Sequence, residues 1–167
     1  SGLRATSAGN VGTPILEAVL HPDPYDVIAV ELSSFQLHWQ RSVSALAAVC
    51  LNVAPDHIDW HGSFEDYLEA KGRIYQNAQV ACVYNVADPL TEELVRNAEV
   101  VEGCRAVGFT LGVPAISMLG LVEDVLADRA FVEQRHHSAA ELASLDDLRG
   151  GTGGSSTQIT RTSSSAL

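Results

Sequence analysis

The feature that most limits what this chain can fold into is a series of short β-branched apolar runs separated by stretches of helical length. Val27-Ile28-Ala29-Val30-Glu31-Leu32 is the first run, and it ends in an acid. It suits a buried strand of a parallel sheet, apolar on both faces. Residues 46–53 form a second run, Ala81-Cys82-Val83-Tyr84-Asn85 a third, and Ala106-Val107-Gly108-Phe109 a weaker fourth. Residues 13–20 suit a short helix with Pro14 in its first turn. Residues 63–78 give the clearest helical pattern. Ser63 can cap its start, Asp66 completes a capping-box-like pair, and Phe64, Tyr67, Leu68, Ile74, Tyr75 and Ala78 share one face. Residues 91–97 continue the alternation. Strand and helix in turn predict an α/β fold, a mostly parallel sheet flanked by helices.

Beyond Gly112 the pattern changes. Segments 115–119, 121–126 and 129–133 suit short strands around an Ala127-Asp128 turn, a small antiparallel β element near the C-terminal end. From Gly150 the chain is nearly all Gly, Ser and Thr, so residues 1–149 are expected to fold and 150–167 to form a disordered tail.

Composition excludes several classes. With 46% hydrophobic and 19% charged residues in 167, the chain has the make-up of a soluble globular domain. No apolar run approaches the roughly 20 residues of a membrane helix, and no signal-peptide pattern opens the chain, so a cytoplasmic protein without a membrane partner is expected. The formal charge is −11, with 21 acids against 10 bases and no basic cluster, which argues against nucleic acid as a partner. An acidic chain acting on phosphates would need a cation such as Mg²⁺, although solubility alone also accounts for the charge. Cys50, Cys82 and Cys104 lack CxxC spacing and lie in or beside apolar runs, as buried thiols of a reducing compartment do. The chain opens at Ser1 and has Met118 as its only methionine, which leads us to expect a fragment.

Three segments carry possible chemistry. Glu31 ends the first strand, where open α/β sheets place their binding crevices, and Ser33 and Ser34 follow it. Asn52-Val53-Ala54-Pro55-Asp56-His57-Ile58-Asp59-Trp60-His61-Gly62 follows the second strand. If the two strands are parallel neighbours, Glu31 and His57 share one rim. A carboxylate with a neutral imidazole suits Mg²⁺ or Mn²⁺, whereas a plain polar turn would also use these residues. Lys71 lies on the face that the 63–78 helix otherwise buries. An inward lysine must contact phosphate, be carbamylated by CO₂ to a carboxylate-like ligand, or snorkel to water. Ala8-Gly9-Asn10-Val11-Gly12-Thr13-Pro14 is a glycine-flanked turn whose amides could approach a ligand.

Taken together, Glu31-Leu32-Ser33-Ser34-Phe35-Gln36-Leu37, Asn52 with 56–63, Tyr67 and Ala70-Lys71-Gly72-Arg73-Ile74 resemble the central domain of the Mur ligases. The Glu-Leu-Ser-Ser-Phe-Gln-Leu run resembles the branch of that family that adds D-glutamate. The resemblance covers roughly residues 1–150. It implies an incomplete P-loop-type central domain over 1–149 and an ATP-dependent ligase joining D-glutamate to UDP-N-acetylmuramoyl-L-alanine through an acyl phosphate, in peptidoglycan precursor synthesis. It implies Glu31 and His57 as Mg²⁺ or Mn²⁺ ligands and Lys71 as a carbamate-bearing third, with Lys71 and His57 catalytic. Asn10, Ser33 and Gln36 fall where the family contacts its muramoyl substrate. No G-x-x-x-x-G-K-[ST] phosphate loop occurs in the chain, and Gly151 to Gly154 lacks the lysine. The family carries that loop upstream of the matching region, so this chain alone is expected to be inactive. Two other readings stand beside it: a folded remnant without catalysis, and a metal-dependent hydrolase using Asp56, His57, Asp59 and His61.

Overall fold

The computed structural model describes residues 2–149. The tail expected at 150–167 lies outside the described residues. The chain begins with strand β1 (Ala5–Gly9), helix α1 (Ile15–Val19) and strand β2 (Val27–Glu31). Helix α2 (Ser34–Trp39) leads to β3 (Ala47–Cys50), then α3 (Ile58–His61) and α4 (Phe64–Gly72), which continues as a 3-10 turn over Arg73–Tyr75. Next come β4 (Ala81–Asn85), α5 (Pro89–Arg96) and β5 (Arg105–Phe109). Strands β6 (Met118–Val122), β7 (Val125–Asp128) and β8 (Ala140–Ser144) precede α6 (Leu145–Arg149).

Two sheets result. β1 and β2 form a parallel pair from Ala5 opposite Val27 to Gly9 opposite Glu31. The other six strands pair in chain order, parallel from β3 to β6 and antiparallel from β6 to β8. This is the expected mostly parallel α/β sheet with an antiparallel element at its far end. Each step among β3, β4 and β5 is a crossover through helix, as parallel neighbours require.

The core gathers Leu32, Leu37, Cys50, Tyr67, Ile74, Tyr75, Cys82 and Leu94 between the β3–β5 strands and the helices α2, α4 and α5. Tyr75 is wholly buried, and its hydroxyl is fully used. It accepts from the Cys50 N–H at 2.9 Å and donates to the Val83 carbonyl at 2.6 Å, joining the 3-10 turn to β3 and β4. Helix α5 starts on Asp88, whose Oδ1 accepts from the Leu90 N–H while Oδ2 accepts from the Val53 N–H at 2.7 Å. One carboxylate therefore caps a helix and anchors the loop after β3. Pro89 fills the first helical turn, where no N–H is needed.

Several expectations from the sequence are corrected. The helix expected over 63–78 is α4 plus the 3-10 turn, and Asn77 in the left-handed region (φ 57°) ends it. The antiparallel turn lies at Glu123-Asp124 rather than Ala127-Asp128, because Asp128 is buried and its Oδ1 receives the Ala130 and Phe131 N–H groups that close β7. Segment 129–133 is not a strand, and β8 takes its place as the partner of β7. β2, expected as a buried central strand, pairs among the described residues with β1 alone and is half-covered, with Val27 exposed.

Candidate active site

Glu31 occupies the last position of β2, and Asn10 lies just past β1. Gly9 makes the closeness of these two strand ends possible. It has φ +136°, and a side-chain carbon there would sit 2.0 Å from the Glu31 carbonyl oxygen. That carbonyl accepts the Asn10 N–H at 2.8 Å. Only a glycine admits this approach.

Ser33 caps α2. Its Oγ accepts the Gln36 N–H, while Gln36 Oε1 accepts the Ser33 N–H at 2.9 Å and the Ser33 hydroxyl at 3.1 Å. The pair is a complete capping box, so both candidate substrate contacts already hold the helix start. His57 precedes α3 in the left-handed region (φ 50°), an uncommon conformation for a residue with a side chain. The Asp56 carboxylate steadies it, accepting the His57 N–H at 2.9 Å and standing 3.4 Å from Nε2. The imidazole stays about half exposed.

Phe35 connects these parts. Its ring lies 4.7 Å from His57, 4.8 Å from Trp60 and 5.8 Å from His61, so α2 seats directly against the His57 loop and α3. His61 Nε2 lies 3.0 Å from Ser34 Oγ, a contact between residues 27 apart in the chain, and its Nδ1 is buried without a partner. Burial first, and then the neighbouring His38 and His57, hold His61 below the ordinary imidazole value. The neutral ring is therefore favoured.

Lys71 is buried on α4, as its spacing predicts. Desolvation pushes its amine below the usual lysine value, against the opposing attraction of Cys50, Asp56 and Glu31. Among the described residues, no carboxylate lies within ion-pair distance of it. Lys71 is thus a desolvated amine within the electrostatic field of the two acids at the rim.

Glu31 and His57 do not reach this rim on neighbouring strands, because β2 and β3 are not hydrogen-bonded to one another. Helix α2, which starts three residues after Glu31, packs on His57 through Phe35. The hydrolase reading is not favoured, because His61, one of the four residues it needs, is turned to Ser34. Asp88 builds part of the frame as well, and its bond to the distant Val53 N–H leaves no local trace in the sequence.

Residues 4–144 match the Mur ligase middle domain. The chain belongs to the Mur ligase family. It is 61% identical over 148 residues to a UDP-N-acetylmuramoylalanine--D-glutamate ligase of Streptomyces avermitilis, covering 89% of this chain and 32% of that protein. It is 53% identical over 153 residues to the protein of that name from Leifsonia xyli (89% and 30%), and 42% identical over 152 residues to one from Tropheryma whipplei (88% and 32%). The chain thus spans about a third of the length of these relatives. Among the described residues, no helix is long and apolar enough to cross a membrane.

Proposed function

We propose that this Mur ligase segment serves an ATP-dependent ligase that joins D-glutamate to UDP-N-acetylmuramoyl-L-alanine through an acyl phosphate, in peptidoglycan precursor synthesis. The observation that carries this reading is Lys71: a buried amine, held below its usual pKa, facing the field of Asp56 and Glu31. A neutral lysine is the form that adds to CO₂, losing a proton to leave a carbamate, and an anionic carbamate suits a cation-binding rim.

The donor set fits Mg²⁺ or Mn²⁺. Such ions keep several waters and use few protein oxygens, so the lack of a three-residue cage is no obstacle. Glu31, His57 and carbamylated Lys71 would hold the ion, which supplies charge neutralisation between the ATP phosphate and the substrate carboxylate when bound. The chain's own part is positioning. Asp56 fixes the His57 backbone, Phe35 sets α2 against that loop, and the Ser33–Gln36 cap holds the start of α2. Asn10, Ser33 and Gln36 take the muramoyl portion of the substrate, which requires Gln36 to exchange part of its capping bond for a substrate contact. ATP binding calls for a phosphate loop that this sequence does not contain, so the isolated chain is expected to be inactive.

The test replaces the matching segment of the Streptomyces avermitilis relative with residues 1–149 and measures phosphate release that depends on both D-glutamate and UDP-N-acetylmuramoyl-L-alanine. Turnover is expected, falling about 100-fold or more in Lys71→Ala, as when a transition-state charge partner is removed, and rising again with short carboxylic acids. Undiminished turnover in Lys71→Ala would sink the role of the lysine. Turnover by the isolated chain would overturn its expected inactivity.

A further inference from the structure

The three cysteines have no part in the reading above, yet two of them meet. Cys82 lies on β4 and is 1% exposed, while Cys104 immediately precedes β5 and is half-buried. Their sulfurs are 3.8 Å apart, and each is the other's hydrogen-bonding neighbour. Cys50 stands apart, its thiol directed to the Asn52 carbonyl at 3.5 Å. We propose that Cys82 and Cys104 form an oxidation site, a dithiol that closes to a disulfide across the β4–α5–β5 crossover when a two-electron oxidant such as a peroxide reaches it.

Closure asks the two neighbouring sulfurs to approach further. A disulfide needs the sulfurs about 2.05 Å apart, with suitable backbone spacing. Cys82 is held in the ladder opposite Ala106, so the movement falls to Cys104. Cys104 lies outside the ladder, whose first pair on that side is Ala81 with Arg105. Its N–H instead closes a turn onto the Val101 carbonyl, and the turn contains Gly103 at φ +89°. A glycine turn can give by the small backbone shift that closure demands.

Access sets the order of events. Cys104 is the less buried residue of the two and so the first that an oxidant meets. Its thiolate attacks the peroxide O–O bond, forming a sulfenic acid and releasing hydroxide, which takes up a proton as water. The Cys82 sulfur then attacks that of Cys104, an S–S bond forms, and the sulfenic oxygen leaves as a second water with the Cys82 proton. The two thiols are oxidised and the peroxide is reduced. Burial, and then Cys104, push the Cys82 thiol up to about 12, so Cys82 suits the second, neighbour-directed step rather than direct reaction with the oxidant.

The full chain treated with hydrogen peroxide, digested without reduction and mapped by mass spectrometry decides the matter. The expected product has lost two hydrogen atoms, links the Cys82 and Cys104 peptides, and reverts with dithiothreitol. Cys50→Ser leaves the link intact, and Cys104→Ser abolishes it. The proposal is overturned if Cys104 proceeds to sulfinic acid beside a reduced Cys82, if the link runs through Cys50, or if it forms only in urea. Because the wild-type peptide map alone separates these results, a variant that folds poorly does not blunt the test.

Discussion

Burying a tyrosine hydroxyl costs free energy unless both its donor and its acceptor capacity are used, and Tyr75 uses both. Tyr75→Phe leaves the Cys50 N–H and the Val83 carbonyl to find other partners, so it should cost about 1–3 kcal/mol in urea unfolding. A loss below the error of that measurement would show that the bonds are replaceable. Lys71 makes the opposite case, a polar group whose burial is unfavourable to its charged form. Its folded pKa is lowered, so between that value and the ordinary 10.5 the unfolded chain binds more protons and stability rises with pH. The difference in unfolding free energy between wild type and Lys71→Met should therefore shift toward wild type as pH rises toward 10.5. A flat difference would mean that Lys71 is solvated or already carbamylated in the folded chain. His61 and Ser34 bind one another across α3 and α2, and the ring has no second partner for Nδ1. This explains a histidine that the motif alone made look like a metal ligand.

At the scale of elements, Asp88 performs two tasks that an alanine could not. Asp88→Ala removes the α5 cap and the anchor of the loop after β3, and about 1–2 kcal/mol of stability should go with them. Asp88→Asn should retain most of it, and equal losses in the two variants would contradict the capping account. How much of this was legible beforehand depends on the element. β2, β3, β4 and β5 stand out because their β-branched runs are intrinsic to strands, and α4 because its apolar face repeats at helical spacing. β1 is Ala-Thr-Ser-Ala-Gly, with no apolar stripe, and is a strand only because β2 pairs with it. β8 is Ala-Glu-Leu-Ala-Ser, composed largely of helix formers, and pairing with β7 overrides that preference. The site divides in the same way. Glu31, His57 and Lys71 are visible from residue type and position, whereas the contacts that align them, Phe35 on His57 and Asp88 on Val53, join distant segments and leave no local trace.

For the molecule as a whole, the two sheets are unequal. The β1–β2 pair is covered less than the β3–β5 core, and α1 beside it exposes Leu16, Val19 and Leu20. Hydrogen exchange should be faster at the β1–β2 amides than in β4, and comparable protection in both would show that they open as one unit. The change of strand direction in the larger sheet has a consequence of its own. β6 and β7 are joined through the two residues Glu123 and Asp124, whereas each parallel pair from β3 to β5 must close over an intervening crossover. Contacts near in sequence form sooner than those far apart, because less chain entropy is lost in closing them. The hairpin is thus the early-folding corner of this chain. The contacts that seat α2 on the His57 loop, Phe35 on His57 and His61 on Ser34, join residues 22 and 27 apart in the chain, so a slow folding phase would delay them while leaving the hairpin intact.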